Sequence, residues 1–308
     1  MAIQHTSLHD VTRSTTRRLW LSLGLTLAFV AVEVAAGLLA NSLALLTDAA
    51  HNFTDALALA LTAWALWVTN KPAHAGKTYG YHRAGILVAL VNSTSLVLIA
   101  LGIFYEAYKR FLAPPEVQTG ILIGVGALAV AVNLVTALLV RKGSETDLNL
   151  RSAFLHLMGD VLSTVGAVIA GIAIRFSGWN WLDPLVSVLI GFLILWNAWG
   201  ILREAIDILM EATPADIDMA ALERDLLAVE GVQGVHDLHV WSLTASLRTL
   251  SAHLVADDVP VSAGVKIQSA AGEMLAQRYG ISHATLQLEC ENCLPAGLYC
   301  DITRQHPR

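Results

Sequence analysis

The chain has 308 residues, of which 55% are hydrophobic and 14% charged, and its formal net charge is −6. Soluble domains carry roughly 25% charged residues, so an all-soluble chain is excluded, as are a disordered chain, a coiled coil and a nucleic-acid binder with a basic surface. Three cysteines in this length exclude a disulfide scaffold.

A membrane helix needs about 20 mostly apolar residues. Six stretches qualify: Leu19–Ala40, Leu43–Val68, Ala84–Tyr108, Val117–Val140, Leu148–Ile174 and Leu182–Leu202. The apolar run of the first is too long for a signal-peptide core, and five more follow, so it is read as a retained helix. Near the span ends, nine Lys and Arg lie on the N-terminal side (Arg13, Arg17, Arg18, Lys71, Lys77, Arg83, Arg141, Lys142, Arg151) and three on the other (Lys109, Arg110, Arg175). This bias places the N-terminus in the cytoplasm, and six spans return the C-terminus there. Trp20, Trp64, Trp67, Trp179, Trp181 and Trp199 fall near span ends, as an aromatic belt would.

Charge changes along the chain. Residues 1–208 hold 13 Lys and Arg against 12 Asp and Glu, whereas residues 209–308 hold 6 against 13. Three parts are expected: a cytoplasmic N-terminal segment (1–18), a six-helix membrane domain (19–208) and an acidic cytoplasmic domain with its tail (209–308). In the last, Asp218–Val229 and Ser262–Tyr279 have helical spacing, and Val235–Leu243, Arg248–Ala256 and Ala284–Glu289 read as strands. The order αββαβ predicts a small α+β sandwich.

Ionisable residues inside membrane spans are costly and mark function. Span two holds Asp48, His51 and Asp55, and span five holds His156 and Asp160. Each H-x-x-x-D pair puts both side chains on one helix face, one turn apart. Both pairs lie 8 and 12 residues into their spans, roughly 12–18 Å deep, near the midplane. Because the two spans run in opposite directions, the pairs can meet. Two imidazoles and two carboxylates suit tetrahedral Zn²⁺. The lack of Cys disfavours a dedicated Cu(I) site, and so few ligands disfavour Ca²⁺ or Mg²⁺. Asp48, on the face of His51, is a partner that orients that imidazole or a proton acceptor. Glu33 in span one has no assigned role. Asn92 and Asn133 are expected to hydrogen-bond between helices, and Gly159, Ser163, Gly166 and Ala170 to pack closely.

The runs S-L-A-L-L-T-D-A-A-H-N-F-T-D (Ser42–Asp55), H-L-M-G-D (His156–Asp160) and H-D-L-H-V-W (His236–Trp241) resemble the cation diffusion facilitator family, most closely its zinc and cobalt-zinc-cadmium resistance branch. The likeness covers roughly Arg17 to Cys293. It implies a homodimeric metal/proton antiporter working by alternating access, with a metallochaperone-like cytoplasmic domain that dimerises and binds regulatory metal. Members with this His2Asp2 set are typically zinc exporters. His236, His253 and Glu289 match cytoplasmic ligand positions of the family. Cys290 and Cys293 form a lone C-x-x-C, a weak signal; with Cys300 they sit where some relatives complete a site across the dimer. One segment departs from the pattern. A loop metal site of some relatives has Lys77 and Tyr81 at its ligand positions here, which leaves His74 and His82 as solvated loop residues. His239 and Trp241 are read as structural and His283 as a surface residue.

The sequence therefore predicts a non-enzymatic inner-membrane exporter of Zn²⁺ in exchange for protons. His51 and His156 bind metal only when neutral, so protons and Zn²⁺ compete. Two rivals remain: a membrane-anchored metal sensor, and an exporter whose main cargo is Cd²⁺ or Co²⁺. The chain lacks H-E-x-x-H, which argues against a metalloprotease.

Overall fold

In a computed structural model, the described residues are 24, 26–141 and 148–290. The chain divides into two compact units, residues 1–64 with 88–202, and residues 65–87 with 203–308. A helix stands at each of the six predicted stretches: α1 (Thr26–Ala40), α2 (Leu43–Thr69), α3 (Ala84–Leu112), α4 (Thr119–Arg141), α5 (Leu148–Ser177) and α6 (Leu182–Leu209). By length and composition α3, Met158–Ser177 of α5, and α6 can each cross a membrane; α1 and Thr119–Val135 of α4 are shorter apolar helices. Leu98, Leu101, Phe176 and Trp196 are among many large apolar side chains left on the outside, as a lipid solvent permits.

The first unit holds α2 by its N-terminus. Asn41 turns the chain with φ of 54°, and Ser42 leads straight into α2. The cap for that helix comes from α6. Buried Asp183 accepts from Ser42 Oγ, from the Leu43 amide at 2.6 Å and from the Ala44 amide at 3.3 Å. A carboxylate here satisfies amides that a helix start leaves orphaned and opposes the positive end of its dipole. Arg110 of α3 closes the corner, donating to the Asn41 carbonyl at 2.7 Å and lying 3.8 Å from Asp183.

Helices α4 and α5 pack closely. A Cβ at Gly126 would come within 2.7 Å of Val168. The expected close-packing set on α5 is only partly seen. Ala170 is buried, but a Cβ at Gly159 or Gly166 would meet nothing within 4 Å. The buried stripe of α5 runs instead through Asp160, Thr164, Ala167, Gly171 and Ile174, a neighbouring row of the same helix. Asn92 Oδ1 and Asn133 Nδ2 are buried without a hydrogen-bond partner among the described residues, so these ends of the two amides make no interhelical bond there.

The second unit contains the predicted αββαβ order: α7 (Met219–Leu227), β1 (Gly234–Ser242), β2 (Arg248–Val255), α8 (Val261–Tyr279) and β3 (His283–Glu289). Asp218 caps α7 through the Ala220 and Ala221 amides. Gly280 ends α8 at φ of 65°, a left-handed stop that costs glycine little. Strand β2 is central, antiparallel to β1 and parallel to β3, with α8 as the crossover. Leu222, Leu226, Leu238, Leu250, Leu254, Leu275 and Ile281 form one core under the sheet. At its surface Arg248 grips Asp216 with two bonds, of 2.9 and 2.7 Å, and holds that carboxyl below the usual range. Asp225 is likewise lowered, by the Tyr279 hydroxyl first and by Arg278.

Candidate metal centres

Two clusters of ligand-type side chains stand out among the described residues. The first lies between α2 and α5. His51 and Asp55 are one turn apart on α2, and His51 Nε2 is 3.6 Å from Asp55 Oδ2. From α5, Asp160 places Oδ1 3.1 Å from His51 Nε2. One ligand atom from each of the three lies within 4.8 Å of the others. The pairs predicted from separate spans thus meet across two helices, through Asp160. His156 sits on α5 one turn before Asp160, but its side chain lies outside the described residues. An imidazole and two carboxylates on rigid helices make a hard-to-borderline donor set that suits a divalent first-row cation.

Beside this cluster runs a second layer of polar groups. Asp48, one turn before His51, is buried and accepts from Thr164 Oγ1 at 3.2 Å. Glu33 of α1 has no exposed surface and accepts from Asn52 Nδ2 at 3.0 Å. The sequence marked Glu33 as an ionisable residue in a span. Its link to the site passes through α2 and could not be read from spacing.

The second cluster is cytoplasmic in expectation and stands on the sheet. His236 of β1 and His253 of β2 are directly opposed in the antiparallel register, with ring centroids 5.0 Å apart. Glu289, at the end of β3, spans both: Oε2 is 3.0 Å from His236 Nε2, and Oε1 is 2.9 Å from His253 Nδ1. One ligand atom from each of the three lies within 4.8 Å of the others, and two imidazoles with a carboxylate fit Zn²⁺.

Asp237 is the residue that sequence reasoning missed. It sits in a β-bulge between His236 and His239, with φ of 50°. Its carboxyl lies 3.0 Å from His239 Nε2 and 3.5 Å from His253 Nε2. Asp tolerates the left-handed conformation that a bulge of this kind needs. The only hint was an Asp inside an otherwise strand-like run.

Other candidates fall outside the clusters. Cys290 is exposed and contributes no converging atom, while Cys293 and Cys300 lie outside the described residues. In the loop before α3, His74 pairs with Lys77 through the backbone and has Nε2 3.3 Å from the Tyr81 hydroxyl. His283 is exposed and meets Tyr79 edge-on.

Comparison with known proteins agrees with this architecture. Residues 19–210 match the cation efflux transmembrane domain, and residues 214–291 match the cation efflux protein cytoplasmic domain. The chain is 37% identical over 285 residues to the cation efflux system protein CzcD of Alcaligenes sp. (strain CT14), covering 92% of this chain and 90% of that protein. It is 40% identical over 266 residues to a cadmium, cobalt and zinc/H(+)-K(+) antiporter of Bacillus subtilis (strain 168), covering 85% of each. It is 35% identical over 291 residues to the zinc transporter ZitB of Escherichia coli (strain K12), covering 94% of this chain and 92% of that protein. Two matched domains in the family's order, together with near full-length likeness to transporters rather than enzymes, settle the classification: the chain belongs to the cation efflux, or cation diffusion facilitator, family.

Proposed function

We propose that this transporter exports Zn²⁺ from the cytoplasm across the inner membrane in exchange for protons, by alternating access, as a homodimer. The observation that carries the reading is the meeting of His51 and Asp55 with Asp160 between two membrane helices. Ionisable groups gathered there serve a cargo, whereas a mere anchor has no use for them. His156 would complete a four-ligand set from its place one turn before Asp160. On this reading the domains run 1–18, 19–208 and 209–308, with both termini cytoplasmic.

The chemistry follows from competition. Neutral imidazole binds zinc and protonated imidazole does not. Facing the cytoplasm, the site gives up protons and takes metal; facing outward, it takes protons and releases metal. Two ionised Asp and two neutral His cancel the charge of Zn²⁺, and two protons cancel it again once the metal has gone. About two protons per zinc keep the moving site near neutrality and avoid a buried net charge. His51 and His156 carry protons here, with Asp48 as a further acceptor. At the cytoplasmic cluster, His236, His253 and Glu289 would hold a regulatory zinc, which neutralises acidic surface and tightens the dimer.

The names of the relatives support zinc as cargo and also favour a second reading, in which Cd²⁺ or Co²⁺ shares the site. Proteoliposomes with a metal panel, an imposed pH gradient and a calibrated membrane potential test all of this. Zinc flux driven by an inward proton gradient, and indifferent to voltage, is expected. Absence of metal flux from competent liposomes leaves the membrane-anchored sensor as the function.

A further inference from the structure

A bulge in β1 changes which of its residues face away from the core. His236 opposes His253 and His239 opposes Ser251, so Asp237 and Leu238 together face the single Ala252 of β2. In an unbroken strand, residues three apart point to opposite faces. Here the extra residue puts His239 on the face that His236 shares with Ser251 and His253, while Leu238 and Val240 enter the core with Leu250, Ala252 and Leu254. Asp237 makes the bulge at φ of 50°. Glycine would hold that conformation with less strain, and what Asp adds there is a carboxyl.

That carboxyl lies between two imidazoles. Its Oδ1 is 3.0 Å from His239 Nε2, and its Oδ2 is 3.5 Å from His253 Nε2. The other nitrogen of His253 is 2.9 Å from Glu289 Oε1, so this ring has a carboxylate at each end. The cluster of His236, His253 and Glu289 uses neither Asp237 nor His239. Ligands about 2.0 Å from a tetrahedral zinc stand about 3.3 Å from each other, near the spacing of Asp237 Oδ1 and His239 Nε2. We propose that Asp237 and His239 hold a second zinc ion on this domain, beside the one bound by His236, His253 and Glu289. An imidazole with a carboxylate suits Zn²⁺ and lacks the thiolate or thioether that selects Cu(I).

The two positions are linked through His253. A neutral imidazole has one N–H. With Nδ1 on the first zinc, that hydrogen is on Nε2, which faces Asp237 Oδ2. Asp237 accepts it with Oδ2 and keeps Oδ1 for the second zinc. The first ion thereby prepares the second position, through a carboxylate set behind a ligating histidine. This coupling rests on the zinc reading of the first cluster, whereas the pairing of Asp237 with His239 does not. Two protein ligands leave the other places to water, so the second ion binds more weakly than the first. His239 is 42% exposed, which gives metal and water access. The domain can carry a second dication, since residues 209–308 hold 13 Asp and Glu against 6 Lys and Arg.

The test is the zinc stoichiometry of purified full-length protein at saturating zinc, by equilibrium dialysis and elemental analysis. His239→Gln keeps a donor for Asp237 but loses the ligand nitrogen. It should bind one zinc fewer per chain than the wild type. Zinc bound between α2 and α5 contributes equally to both and cancels in the difference. Asp237→Asn tolerates the same backbone turn and should lose the same ion, and the double variant should lose no more than either alone. Equal zinc in His239→Gln and wild type overturns the proposal, as does a double variant that loses two ions. Should His239→Gln not fold, Asp237→Asn removes the same ion from the other side, with the same expected loss and the same overturning result. His236→Ala separates the two readings. It should lose the first ion and weaken the second about tenfold. If it binds as much zinc as the wild type while His239→Gln loses one ion, the reading of the first cluster fails and the second site stands.

Discussion

The two ligand clusters use similar chemistry on opposite scaffolds. Between α2 and α5, helix periodicity supplies His51 and Asp55 from one turn and a facing helix supplies Asp160. On the sheet, His236, His253 and Glu289 each come from a different strand, and only the register assembles them. The first cluster stands on long helices beside the buried carboxyls of Asp48 and Glu33. The second stands on a sheet, and its ligands are no more exposed than those of the first: His253 is 28% exposed where Asp55 is 31%. The difference lies in the scaffold: helix periodicity and one facing helix assemble the first cluster, and strand register alone assembles the second.

The sharpest break of that comparison is at the carboxylates. Loss of partners that merely orient a ligand already costs about 10–100-fold in metal affinity. Asp55→Ala or Asp160→Ala should therefore take zinc flux in proteoliposomes to background at equal protein content, while zinc binding by the sheet cluster persists. Near-normal flux from either would remove the α2–α5 cluster from the transport path.

A milder change should alter choice rather than rate. Imidazole suits Zn²⁺, and carboxylates suit harder ions. His51→Asp is expected to relax selectivity toward Cd²⁺ and Mn²⁺ with weaker zinc binding, measured by competition across a metal panel. An unchanged profile would mean that His51 does not touch the metal.

The sheet cluster should modulate. His236→Ala with His253→Ala should lower the zinc stoichiometry of residues 209–308, whose core is self-contained, in calorimetric titration. In the full chain it should slow transport by about fivefold, the low end of ordinary coupling between sites, without stopping it. Asp237→Asn keeps a residue that tolerates the left-handed bulge but removes the charge beside His253. It should weaken zinc binding by about tenfold at this cluster and leave transport-site affinity alone.

The smallest effect concerns acid stability. Asp216 and Asp225 have folded values below their unfolded ones, so their contribution is present above the unfolded carboxylate pKa of about 3.9 and is lost as pH falls through the folded values. Asp216 is exposed and salt-screened, and Asp225 is half-buried. Asp216→Asn should slightly flatten the fall in melting temperature of residues 209–308 below about pH 4, an effect that vanishes at high salt.

Local spacing made the membrane helices and the H-x-x-x-D pairs legible, because a helix fixes which residues share a face. The same logic failed at Gly159 and Gly166, since composition names small residues but not the row that a neighbouring helix covers. Asp183 was invisible as the cap of α2 because 140 residues separate it from Leu43.

From sequence alone came the two-part architecture, the αββαβ order and the ligand types, all of which follow from periodicity and from the cost of charge in lipid. Only the tertiary structure decided that Asp160 meets His51, that the Asp237 bulge reaches His253 and that Asn52 donates to Glu33. Those three depend on which helix faces meet and on a single bulge in one strand, and packing across the whole fold sets such distances.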